Sequence, residues 1–245
     1  MSVVLELNAI GFYRDERILL EDIDLELKDS EIAIIMGQSG SGKGLLLRIC
    51  CGLIKQNNGD IIFCNKNLRE MDYIESQNFR RKVGFIFEGK SGLVPELTLF
   101  ENITLPFLYF GESTKTIKAL VQLYLTDFNL PMQEGFFELY PYQCTHFTNA
   151  LVQVLRAVLM QPKVILLENP FSLLGIKNAQ VLFQFIVFLQ QRLNFAILLG
   201  TSYINFPIRD EVTFYLLEGG ELKKGSAKQA MVASSMNLLV DDGDV

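Results

Sequence analysis

Apolar and polar residues alternate through residues 3–8 (VVLELN) and again in IDLELK (23–28), the period of two expected of strands with one buried face. A turn at Asp29-Ser30 leads into the continuous apolar run EIAIIMG, which predicts a buried strand running straight into a glycine-rich loop. KGLLLRICCGLI (43–54) then reads as a helix closed by Gly52, and GDIIFCNKNL (59–68) as a short strand pair with its turn at Asn65-Lys66. A strand KVGFIFE (82–88) follows. From about 92 to 160 the pattern becomes helical, punctuated by Pro95, Pro106, Pro131 and Pro141. Beyond it lie a buried strand KVILLENP (163–170), a helix that is apolar nearly all round (179–193), and a strand FAILLGTS (195–202). A closing hairpin over 211–225 turns at Gly219-Gly220, and residues 226–245 predict a short helix and an acidic, frayed end at Asp241-Asp242-Gly243-Asp244. No internal repeat is visible. Strands separated by helices around a glycine-rich loop imply an α/β protein with a parallel-sheet core and a helical insertion.

Composition narrows the class. The chain has 245 residues, 49% of them hydrophobic, yet its apolar stretches are interrupted well short of the roughly 20 residues a membrane span needs. The N-terminus alternates instead of showing a charged segment before an apolar run, so no signal peptide is expected. A net charge of −6 leaves no basic surplus to neutralise phosphates, which argues against a nucleic-acid partner. The basic cluster at 80–82 reads as a solvated helix end. Four cysteines, Cys50, Cys51, Cys64 and Cys144, lack paired metal-site spacing and are expected to be free, largely buried thiols in a reducing compartment.

The run Gly37-Gln38-Ser39-Gly40-Ser41-Gly42-Lys43 matches seven of eight positions of GxxxxGK[ST], directly after a strand and opening a helix. Such glycines let successive backbone N–H groups turn toward phosphate oxygens, the helix N-terminus adds partial positive charge, and Lys43 reaches the terminal phosphates. The eighth position is Gly44, where the motif has a hydroxyl for Mg²⁺. Glycine has nothing to offer the metal.

From the loop, from RAVLMQPKVILLENPFSLLG and from FAILLGTS, in that order and spacing, the chain resembles the ATP-binding subunit of ABC transporters over nearly its whole length. Within that family, EGKSGLVPELTLFENITLPF and the late KKGSAKQAM look most like the ATPases of Mla or MCE lipid-transport systems. The resemblance implies an α/β P-loop, RecA-like core with a mostly parallel sheet and an N-terminal antiparallel β subdomain (1–90 and 160–225). It further implies a helical subdomain (91–159) and a C-terminal extension (226–245).

The same resemblance exposes departures. Anchored on Pro170, the Walker B aspartate position is Glu168 and the catalytic glutamate position is Asn169. The signature loop falls on Cys144-Thr145-His146-Phe147-Thr148, keeping only a hydroxyl at the serine position; Glu88 replaces the Q-loop glutamine, Gly175 the D-loop aspartate, and Ser202 the switch histidine. A positioned general base is worth roughly 10²–10⁴ in rate, and Asn169 cannot take a proton. The expectation is therefore a site without an intact catalytic set. Its nucleotide contacts are Gly37 to Gly44, Tyr13 or Phe12 beside the adenine with Arg14 the best-aligned residue there, and Glu88, with Glu88 and Glu168 as candidate ligands of a weak Mg²⁺. Phe12 follows the strand alternation and reads equally as a core aromatic.

Family members dock on a membrane permease next to the Q-loop. Here that stretch carries Leu93, Val94, Leu97, Leu99, Phe100, Leu105, Phe107, Leu108, Tyr109 and Phe110, more apolar surface than a small helical lobe easily hides, so an exposed docking patch is expected. The implied setting is the cytoplasm, peripheral on the inner face of the plasma membrane, with a permease and a second ATP-binding subunit as partners. Three functions stay open: a hydrolysis-deficient structural or regulatory subunit of an MCE-like lipid transporter, a slow ATPase energising phospholipid transport, or a nucleotide-free interaction module.

Overall fold

The computed structural model describes residues 2–89, 92–204, 206 and 212–241, the last six of these as backbone only. Two sheets organise the chain. Strands β1 (Val3–Arg14), β2 (Arg17–Lys28), β4 (Asn58–Phe63) and β5 (Lys66–Asn67) form an antiparallel sheet in the order β2-β1-β4-β5. The second sheet, in the order β10-β9-β3-β8-β7-β6, contains β3 (Ile32–Met36), β6 (Val83–Ile86), β7 (Val164–Glu168) and β8 (Ala196–Thr201), all parallel, and closes with β9 (Thr213–Glu218) and β10 (Glu221–Gly225). β9 joins β3 in parallel while β10 turns back antiparallel through Gly219-Gly220.

The period of two divides each central strand between two cores. Ala33, Ile35, Val164, Leu166, Ala196 and Leu198 face helix α1 (Lys43–Cys50) and the antiparallel sheet. Their neighbours Ile34, Met36, Ile165, Leu167, Ile197 and Leu199 face the other way, toward α5 (His146–Leu159) and α6 (Ile176–Leu193). Burial on both faces is why these strands read as continuous apolar runs. α6 buries Leu182, Phe183, Phe185, Ile186, Val187 and Leu189, which accounts for its nearly all-round apolar sequence, and it begins three residues before the expected Ala179.

Helices α2 (Tyr73–Lys82), α3 (Leu99–Tyr109) and α4 (Ile117–Asp127) complete the middle of the chain, with α3 packed on α5. Arg80, Arg81 and Lys82 form the last turn of α2, where positive charge complements the helix dipole. Pro106 does not end a helix as expected: it lies inside α3, whose start is fixed by a capping box between Thr98 and Glu101. The turn between β4 and β5 sits at Cys64-Asn65, one residue earlier than predicted, with φ of 49° and 65° at the two positions. Both central residues in the left-handed region make it a primed hairpin turn, and Cys64 is consequently exposed. Only Cys50 among the four free cysteines is buried.

α7 (Ala227–Asp241) is longer than the short helix expected and folds back on the core: Ala230 is buried, and Ser234 Oγ accepts a hydrogen bond from Ile204 N at 2.8 Å. The acidic stretch Asp242-Gly243-Asp244 lies outside the described residues.

Candidate functional site: the phosphate-binding cleft

β3 delivers the chain to Gly37, and the loop to Gly42 enters α1 through a left-handed Gly42 (φ 100°) that no L side chain adopts cheaply. No side chain caps α1, so its first N–H groups face the loop, the arrangement that suits an anion. A cleft of about 360 Å³ opens here, lined by Ser39 to Leu45, Leu19, Glu88, Glu168, Asn169, Gly200 and Ser202. The ends of β3, β6, β7 and β8 thus bring together most of the residues expected from sequence. Gln38 lines an adjoining depression with Leu217, Glu218 and Gly219. Tyr13 does not join the cleft lining: it is half exposed on β1 opposite Ile18, its N–H bonded to Asn57 Oδ1 at 2.9 Å, and the side chain from that hairpin that reaches the cleft is Leu19. Phe12 packs against the inner core.

Lys43 is buried and folded onto its own loop, its Nζ donating to the carbonyls of Gly37 (2.8 Å) and Gln38 (2.7 Å). Desolvation lowers its pKa from the ordinary 10.5 to about 8, a shift opposed by the nearby charge of Glu88. Because the unfolded chain holds this proton up to the ordinary value, the charged lysine costs stability below about pH 8, and that cost disappears as pH rises through the window between the two values. A bound phosphate would favour the charged form. ATP affinity is therefore expected to fall about tenfold between pH 7 and pH 9, since each unit above the free-chain pKa costs about tenfold in recharging the ammonium; titration at both pH values checks it.

Asn169 ends β7 in a left-handed conformation (φ 41°), its N–H bonded to Gly200 O at 2.8 Å. Its Nδ2 donates to Glu88 Oε1 at 2.8 Å and its Oδ1 accepts from Thr201 Oγ1 at 3.3 Å, so both ends of the amide are engaged. Glu168 lines the cleft beside Gly44. Both its oxygens accept from Arg48 Nη2, at 2.8 and 2.9 Å, and its side chain is 11% exposed. Of the two carboxylates expected to serve Mg²⁺, Glu88 accepts a hydrogen bond from Asn169 and Glu168 from Arg48. Among the described residues no group of three or more His, Cys, Asp or Glu side chains is placed to hold a metal.

Two positioning residues escaped the sequence reading. Arg48 lies one helical turn after Gly44, on the same face of α1, a spacing visible in the sequence. Gln153 on α5 is fully buried, accepting from Phe87 N at 3.2 Å and donating to Gly89 O at 2.9 Å, which fixes the segment that carries Glu88. A buried amide on an apolar helix face was the available clue.

The residues at the signature positions open α5. Thr145 caps the helix, accepting from Thr148 N at 3.1 Å, so its hydroxyl is committed locally; His146 is exposed and Phe147 packs against the core. Gly175 precedes α6 in extended conformation, and Ser202 is buried beside the cleft. Of the apolar stretch before and within α3, Leu93, Leu99 and Phe107 are core, while Val94, Leu105, Leu108 and Tyr109 are exposed. Exposed Tyr73 and Ile74 on α2 extend this surface, and Tyr109 Oη meets Gln77 Oε1 at 3.4 Å.

The profile of the ABC transporter family matches residues 20–172. The chain belongs to the ABC transporter ATP-binding family. It is 35% identical over 162 residues to the putative hemin import ATP-binding protein HrtA of Staphylococcus epidermidis, an alignment spanning 66% of this chain and 71% of that protein. It is 31% identical over 199 residues to the lipoprotein-releasing system ATP-binding protein LolD of Buchnera aphidicola, covering 80% and 85%. The ATP-binding cassette MJ0796, seen as a dimer bound to ADP and Pi, superimposes with a TM-score of 0.76 at 26% identity over 90% of this chain and 98% of that one. This ABC subunit has the fold of those cassettes: a mostly parallel core sheet, an N-terminal antiparallel sheet and a helical subdomain. Among its described residues no helix is long and apolar enough to cross a membrane.

Proposed function

We propose that this ABC subunit binds ATP without hydrolysing it at a useful rate and serves as the structural or regulatory ATP-binding partner of a membrane permease. The observation that carries the reading is the amide of Asn169 at the base position, tied on one side to Thr201 and on the other to Glu88. An amide orients a water but accepts no proton at neutral pH. The phosphate cradle, by contrast, retains its loop, its lysine and an uncapped helix N-terminus.

The exposed apolar residues of α2 and α3 are the surface we assign to the permease, which would hold the subunit on the inner face of the membrane. A second ATP-binding subunit completes the assembly. For the cargo, the segment EGKSGLVPELTLFENITLPF and the late KKGSAKQAM support a lipid-transport system of the Mla or MCE type. LolD, one of the relatives, is named for lipoprotein release.

Equilibrium titration of ATP onto the purified chain, beside Lys43→Ala, tests the nucleotide reading. Saturable binding is expected, weakened in the variant about 10- to 100-fold, the worth of a charge-assisted hydrogen bond of roughly 1.5–3 kcal/mol. Absence of binding at millimolar ATP would leave the loop as fold alone.

A further inference from the structure

Gly44 and Glu168 compete for one piece of space. A Cβ built on Gly44 would stand 2.2 Å from Glu168 Oε1 and 3.1 Å from its carboxyl carbon. Gly44 lies within α1 at an ordinary helical φ, so its backbone does not demand glycine; the side chain of Glu168 does. A clash with the far end of a flexible side chain is usually relieved by rotation. This carboxylate is pinned, because Arg48 Nη2 holds both oxygens and little of the side chain reaches solvent.

The three residues form one device. The missing Cβ at 44 makes room for the longer carboxylate at 168, and Arg48, one turn along the same helix face, supplies the positive charge that the carboxylate meets. A divalent cation at this place needs a hydroxyl from position 44 and carboxylate lone pairs directed at the metal. The hydroxyl is absent and the carboxylate is occupied, so the residues do not fit the ion.

We infer that the Arg48–Glu168 pair engages the carboxylate a divalent cation would need, and that this subunit binds its nucleoside triphosphate as the metal-free anion. The inference rests on the nucleotide-binding reading above and specifies the form of the ligand. It also explains why binding and turnover part company here: an anion held by Lys43 and backbone N–H groups needs no metal, whereas neutralising charge on a transferring phosphoryl group does.

The test is ATP titration onto the full chain in excess Mg²⁺ and in EDTA, with Mn²⁺ electron paramagnetic resonance at saturating ATP. ATP should bind no tighter in Mg²⁺ than in EDTA, and no protein-bound Mn²⁺ signal should appear. Binding that is about tenfold or more tighter with Mg²⁺, a difference well outside titration error, overturns the inference while leaving nucleotide binding standing. No binding in either buffer overturns both.

A second arm reads the geometry without nucleotide. Gly→Ala inside a helix ordinarily stabilises the fold. Here Gly44→Ala should lower Tm, and should raise it once Glu168→Asp has shortened the carboxylate. A higher Tm from Gly44→Ala in the parent shows that Glu168 does not hold that space, and the inference falls with it.

Discussion

Phosphate release from ATP by the purified subunit is expected to run about 10²–10⁴-fold below that of a cassette with a glutamate at the base position, the usual worth of a general base. MJ0796, assayed beside it, is a suitable reference of the same fold. The expected deficit rests on several independent features. Asn169 cannot take the proton of the attacking water, and Arg48 engages both oxygens of Glu168. At the signature positions the hydroxyl of Thr145 caps its own helix, and His146 and Phe147 put side chains where two glycines allow close approach. Asn169→Glu alone is therefore expected to leave turnover near its starting level. Glu88, the other carboxylate of the cleft, accepts a hydrogen bond from Asn169 Nδ2 at 2.8 Å and is the substitute base the geometry offers among the described residues. If the parent releases phosphate within about tenfold of MJ0796 and Glu88→Gln abolishes it, Glu88 is the base, general-base catalysis is restored, and the hydrolysis-deficient reading is wrong.

The sequence revealed the scaffold far better than the interior of the cleft. Strands buried on both faces read as unbroken apolar runs, and a loop such as Gly37 to Lys43 declares itself through residues that backbone geometry restricts. What it could not show was direction. Glu168 was placed correctly at the end of β7, yet whether its carboxylate faced a metal or Arg48 depends on how β7 and α1 pack across the core. Gly44 was read as a missing hydroxyl, whereas its missing Cβ is the structural point. The hairpin turn moved by one residue because Cys64 adopts a left-handed conformation that residue type does not advertise. Pro106 was taken as punctuation, but it sits late in α3, where Leu99, Ile103 and Phe107 are already committed to the core. Tyr13 was read beside the adenine because it lies near the family's aromatic position; the hairpin instead directs Leu19 into the cleft.

Phe185→Ala is expected to destabilise the subunit by about 3–5 kcal/mol. Phe185 is fully buried on α6, its ring 5.1 Å from that of Phe128 and 6.3 Å from that of Phe188, so truncation removes both its own burial and the contacts of its neighbours. For a chain of this size about 2–4 °C of Tm accompanies each kcal/mol, so thermal denaturation should show a loss of roughly 6–20 °C. ATP affinity below the lowered midpoint should nevertheless change by less than about twofold, well under 1 kcal/mol. The reason is positional. Phe185 belongs to the core behind the parallel sheet, while α1 and the phosphate loop lie on the opposite face, against the inner core of Leu46, Leu47 and Ile49. Lys43→Ala should do the reverse: it removes a buried cation whose desolvation costs stability, while withdrawing the charge that meets the phosphates. If Phe185→Ala weakens ATP binding as much as Lys43→Ala does, the two faces of the sheet are energetically coupled. The cleft would then be shaped from behind by α6, and the phosphate loop alone would not account for its affinity.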